Sequence, residues 1–126
     1  MAQKLDQLKE ARLQLLRIHK LLIDIERENF EKQTGLLTSG QFLGLLLDDP
    51  DLQWLRKFST LIVEIDEMLD LHDGFSEGMI ENQLSAIKNL IDFDGLDREF
   101  EERYKNSIQR NPQVALKHGE LKNFMT

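Results

Sequence analysis

From Gln3 to Lys32 the chain runs without a proline or a glycine, and Leu5, Leu8, Ala11, Leu15, Ile18, Leu22 and Ile25 recur along it at three- and four-residue intervals. That is the period of an amphipathic α-helix, here roughly eight turns long. Most helical stability comes from packing an apolar face, so a stripe of this length needs other elements laid along it. Gly35 is placed to stop the helix.

The remaining punctuation predicts more helices. Thr38 and Gln41 form a T-x-x-Q capping box ahead of Phe42, Leu43, Leu45, Leu46 and Leu47, which reads as a short apolar helix ending at Asp48, a plug or a crossover. Asp49-Pro50 sets a cap and a first-turn proline in their preferred order, and Asp51 adds negative charge at the helix start. A second long helix is expected from there to about His72. Its core face is Trp54, Leu55, Phe58, Leu61, Ile62, Ile65, Met68 and Leu69, with Glu64, Glu67 and Asp70 turned away. Asp73-Gly74 ends it. Ser76 caps a third helix whose stripe of Ile80, Leu84, Ile87 and Ile91 runs to a turn at Asp94-Gly95. Asp97 opens a fourth, carrying Phe100, Tyr104 and Ile108. Asn111-Pro112 caps a final short helix with Val114, Leu116, Leu121 and Phe124, frayed from Lys122 onward. No β-strand alternation of useful length occurs. The expected architecture is all-α: an antiparallel helical bundle of four main helices plus one or two short ones, forming a single domain over residues 1–126.

Composition removes several function classes. At 126 residues, 40% hydrophobic and 31% charged, the chain can bury one core and lacks the bias of disordered proteins. No stretch approaches the roughly 18 apolar residues of a membrane span, and the Lys-, Asp- and Glu-rich start does not resemble a signal peptide. A cytoplasmic protein with no membrane partner is expected. With no cysteine there can be no disulfide, thiolate metal site or Cys nucleophile. A net charge of -7 has the wrong sign for binding nucleic acid. The basic residues of the first helix alternate with Asp and Glu, as on a solvated face.

Arg12, His19 and Glu26 break the pattern. They stand seven residues apart within the first helix, and at about 100° per residue all three fall on or beside its apolar stripe. Polar groups there need partners. Asp66 flanks the stripe of the second long helix, and with the two helices antiparallel it is expected level with His19. The favoured reading is a register-setting network: His19 with Asp66, and Glu26 with a tyrosine, an arginine or a backbone donor. The alternative is a site for a metal or small ligand built on His19, Glu26 and Asp66, completed by His72 or His118. The Glu-x-x-His pairs and the His-Glu-x-x-His motif of helical metal proteins are absent. No cofactor is expected.

Arg12 with His19 also resembles, in its Arg-x6-His spacing, the motif of the HEPN ribonucleases. That resemblance implies a His acid/base and an Arg holding phosphate. Here the pair lies in the first helix rather than late in the chain, and no polar residue follows Arg12. Glycine-rich phosphate loops, Gly-x-Ser-x-Gly elbows and Ser-His-Asp arrangements are missing, so no residue is assigned a catalytic role.

Phe42, Trp54 and Phe58 read as core rather than as a ligand pocket. The segment Phe42 to Leu47, together with Leu13, Leu16, Leu21 and Ile23 around the first helix, carries more apolar surface than a bundle of this size buries. Such a surplus points to a protein partner, a C2 homodimer first of all. Finally, the run around His19, Asp24, Glu26 and Arg27 with Phe30-Glu31, the stretches Asp49-Pro50 to Trp54-Leu55 and Leu61 to Glu67, and Gln109-Arg110-Asn111-Pro112 resemble a family of small uncharacterised bacterial proteins. The resemblance implies a bacterial cytosolic origin and no activity. The reading is thus a non-enzymatic protein-interaction bundle, with a metal- or small-ligand-binding bundle as the alternative.

Overall fold

Six α-helices and one 3₁₀ segment make up the chain in the computed structural model, which describes all 126 residues. They are α1 (Ala2–Thr34), α2 (Ser39–Asp48), the 3₁₀ segment (Pro50–Leu55), α3 (Arg56–Leu69), α4 (Glu77–Ile91), α5 (Arg98–Arg110) and α6 (Pro112–Met125). No strand forms, and the class is all-α. No helix is long and apolar enough to cross a membrane.

Capping side chains explain where α2, α4, α5 and α6 begin. The Thr38 hydroxyl accepts from the Gln41 N–H at 3.1 Å while the Gln41 side chain accepts from the Thr38 N–H at 2.9 Å. Ser76, Asp97 and Asn111 likewise take the free N–H groups of α4, α5 and α6. At the end of α1, Gly35 has φ +85°, a conformation costly for any residue with a Cβ.

Three expectations need correction. Asp49-Pro50 opens a 3₁₀ turn rather than an α-helix, and α3 proper starts six residues later at Arg56. α3 also stops at Leu69, short of His72, because the Leu71 N–H bonds the Met68 carbonyl and tightens the last turn. The last helix is not short: it continues to Met125, with Leu121 fully buried in its final turns and Leu116 largely exposed.

α1 is the spine. Leu8, Ala11, Leu15, Ile18 and Leu22 are buried along its first two thirds, and the helix packs against α3, α4 and α6. α3 runs antiparallel to it, since Arg12 meets Asp66 and His19 meets Phe58. α6 is antiparallel too: Lys117 and Glu120 lie beside Gln14 and Arg17, and Phe124 lies beside Gln3, Gln7 and Glu10. Lys4 pairs with Glu77 and Glu81, tying the start of α1 to the start of α4. α5 crosses the 3₁₀ segment, where Arg103 reaches Asp51 at 3.0 Å.

An aromatic cluster fills the end of the core nearest α5. Phe58, Phe100 and Tyr104 stack at tilted or edge-on angles with centroids 5.2 to 5.7 Å apart, within the favourable range for aromatic pairs. Phe93 joins them from a strained backbone, with φ 59°. It occupies the residue after the α4 cap in a Schellman turn, in which Asp94 N–H bonds the Asn89 carbonyl and Phe93 N–H bonds that of Leu90. Glycine usually stands there. Phe93 holds the place because its ring packs on Phe100, Tyr104 and His118, with the Lys105 ammonium 4.9 Å from the ring centre.

Candidate functional site

All residues buried in this core are apolar or aromatic, and none is charged. Arg12, His19 and Glu26 therefore sit at the margin of the α1 stripe, partly covered. Each faces a different neighbour. The Arg12 guanidinium grips Asp66 with both arms, Nε to Oδ1 at 2.5 Å and Nη2 to Oδ2 at 3.0 Å. His19 lies flat against Phe58, ring centres 6.0 Å apart and planes inclined by 17°. Glu26 shares a polar cleft of about 190 Å³ with Asn29, Gln33, Asp51 and Arg103.

The expected pairing of His19 with Asp66 is thus wrong. The 3₁₀ segment lies opposite Glu26, so α3 starts only near the level of His19, and Asp66 falls about two turns farther along, beside Arg12. The column does not form one network, and His19, Glu26 and Asp66 do not converge. No three His, Asp or Glu side chains come together in a group that could hold a metal ion. His72 is exposed in the turn after α3, and His118 is engaged on α6. The Arg-x6-His pair fares no better as a phosphate site, since Asp66 already occupies the guanidinium.

The protonation states follow from these surroundings. The bond to Asp66 raises the Arg12 pKa further and keeps it charged. Burial pushes His19 below its ordinary value, so the ring is neutral at pH 7, and neither nitrogen bonds another protein group. Burial pushes the Glu26 carboxyl up; the Arg103 guanidinium opposes that and Asp51 adds to it. Arg103 gives its hydrogen bond to Asp51, not to Glu26.

Two arrangements escaped the reading of the sequence. The Tyr104 hydroxyl stands 2.7 Å from His118 Nδ1. A signal for this pair exists: Tyr104 and His118 are each seven residues from Asn111, and residues equidistant from a tight turn meet across an antiparallel pair. The second is a crevice of about 180 Å³ beside His19, bounded by α1, α2, the 3₁₀ segment and α3. Its walls are mainly Ile23, Leu46, Leu52 and Leu55, while His19, Arg56 and Ser59 bring polar groups to it. No local pattern marks it, because its walls come from four elements.

α2 presents the clearest unsatisfied surface. Its inner edge is well held. Phe42 is buried under the Arg27 guanidinium, 5.7 Å from the ring centre, Arg27 Nη2 donates to the Leu37 carbonyl at 2.7 Å, and Glu31 accepts from the Leu37 N–H at 2.8 Å. The outer edge is bare: Leu43 is 55% exposed, Leu47 57%, and Leu36 just before the helix 92%. At about 100° per residue Gly40 and Gly44 fall beside Leu43 and Leu47, and the space above both glycines is open. Asp48 is the only charged residue of α2. No protein-family model, curated protein or solved structure matches the chain.

Proposed function

We propose that the chain is a non-enzymatic interaction module that docks through the outer face of α2, and that its partner is a second copy of itself. The observation that carries this reading is the exposure of Leu36, Leu43 and Leu47 on an element with a single charge. Scattered exposed leucines are ordinary, but Leu43 and Leu47 one turn apart on a helix with a single charge, with Leu36 exposed just before it, favour a partner.

A two-fold axis suits this face. Leu43 and Leu47 are ridges and Gly40 and Gly44 are gaps, so two antiparallel copies of α2 fit ridge to gap. The same arrangement brings Asp48 of each copy toward the N-terminus of the other α2, where a helix favours negative charge. Covering the three leucines gains about 1–2 kcal/mol each. Six of them in a dimer gain about 6–12 kcal/mol, which exceeds the lower end of the roughly 4–15 kcal/mol cost of association and leaves a dissociation constant no tighter than about 1 μM. A cytoplasmic setting goes with this reading, since the fold holds without any cysteine.

Light scattering across a concentration series tests it. The wild-type chain is expected to pass from monomer to dimer, and a Leu43→Glu/Leu47→Glu variant to stay monomeric with unchanged helical circular dichroism. A wild-type chain that remains monomeric at millimolar concentration overturns the homodimer.

A further inference from the structure

We propose that the crevice beside His19 binds a small apolar carboxylate, with Arg56 holding the carboxylate and the walls formed by Ile23, Leu46, Leu52 and Leu55 taking the hydrocarbon tail. Charge gives the sign of the ligand. The chain has 23 Asp and Glu residues, yet none lines this crevice, whereas Arg56 does. Arg56 pairs with no carboxylate in the structure; one arm donates to the Leu47 carbonyl at 2.7 Å, which anchors the side chain and leaves its other N–H groups free.

His19 supplies the second polar contact. Its ring is pinned against Phe58 while its nitrogens make no bond within the protein. Neutral imidazole has one N–H, which can donate to a carboxylate oxygen that Arg56 does not take. The walls set the rest of the ligand. Leucine and isoleucine side chains hold water poorly, so an alkyl chain displaces it at a gain. A volume of about 180 Å³ equals about six waters and falls below drug-sized pockets, room for an acid of five or six carbons.

Hexanoate, hexanol and acetate titrated into the wild-type chain test the assignment by calorimetry and by the His19 ring-proton signals. Hexanoate is expected to saturate with a dissociation constant below about 10 mM, shifting those signals, while hexanol and acetate each bind at least tenfold more weakly. Arg56→Gln should weaken hexanoate at least tenfold, and Leu46→Trp, which fills the crevice, should abolish binding, both with unchanged helical content. Failure of hexanoate to saturate, or equal binding by Arg56→Gln, overturns the proposal. The site lies within one chain and does not rest on dimerisation. A dimer that ignores hexanoate removes this inference alone, and a monomer that binds it removes only the homodimer.

Discussion

Tyr104→Phe deletes one oxygen from the interior and tests the polar contact between α5 and α6. Tyr104 is fully buried, with its hydroxyl 2.7 Å from His118 Nδ1. Burial pushes the phenol well above the ordinary tyrosine range, so it keeps its proton and donates it. Burial also pushes His118 down, with Lys122 adding to the effect and Asp92 opposing it, so the ring is neutral at pH 7 and Nδ1 accepts. Phenylalanine fits the same edge-on seat against His118 and Phe58, which leaves the hydrogen bond as the main loss. Such a bond contributes about 0.5–1.5 kcal/mol net, and a buried acceptor left unpaired costs about 1–3 kcal/mol. Because water reaches part of the half-buried His118 ring, the expected destabilisation is about 1–2 kcal/mol, a fall in Tm of roughly 4–8 °C.

The assay is urea unfolding of the wild type, Tyr104→Phe, His118→Phe and the double variant, with an expected coupling energy of about 1 kcal/mol. The pH dependence adds a second check. His118 titrates below its ordinary value of 6.5 in the folded chain, so its neutral form contributes stability above that pH that is lost as pH falls toward the folded value. Without the phenol the imidazole takes up a proton sooner, and the gap between wild type and Tyr104→Phe narrows as pH drops below 6.5. A coupling energy near zero, or a gap that stays constant into acid, refutes the bond as described.

Other expectations follow from the margin of the α1 stripe and from the α4 turn. Arg12→Met and Asp66→Asn should each cost about 0.5–1.5 kcal/mol, the bidentate geometry adding to the pair and partial solvent access screening it. Urea melts at about 0.05 and 1 M salt should show the cost shrinking at the higher value. Glu26→Gln should raise Tm at pH 7: burial holds the carboxyl above its ordinary value of 4.5, so the folded chain binds the proton more tightly and wild-type stability falls as pH rises through and beyond 4.5. Thermal melts at about pH 4 and pH 7 should find the gain at the higher pH alone. Phe93→Gly relieves about 1–2 kcal/mol of left-handed strain but loses the packing of a partly buried ring, worth up to about 3 kcal/mol, the low end of the range for a buried Phe. A net loss is expected in urea, and a more stable variant would show strain outweighing the ring.

The helix starts were legible because their causes are local. Thr38 with Gln41, Ser76, Asp97 and Asn111 each satisfy N–H groups within three residues, and nothing distant alters that. Register across helices was not legible. Whether Asp66 meets His19 or Arg12 depends on how far α2 and the 3₁₀ segment advance beside α1, and Asp49-Pro50 signals a helix start without saying which kind. In α6, Leu116 and Leu121 look alike as letters. One is 58% exposed and the other fully buried, because apolar residues surround that helix and no single stripe selects a face. The candidate site suffered for the same reason: its walls come from four elements, and only their mutual placement creates it.

That placement also separates the three column residues by the work left open to them. Arg12 is neutralised by Asp66, and Glu26 shares its cleft with the Arg103–Asp51 pair, so only His19 keeps unbonded nitrogens beside an apolar wall. Leu47 belongs both to the crevice lining and to the bare outer face of α2. A partner seated on α2 restricts the Leu47 side chain, and a ligand in the crevice restricts it as well. Whichever arrives first bears part of the ordering cost for the other, and by linkage the free energy of coupling is the same in both directions. Hexanoate that tightens the dimer must therefore bind the dimer more tightly than it binds the wild-type monomer at high dilution, and hexanoate that leaves the dimer unchanged shows Leu47 already ordered in the free chain.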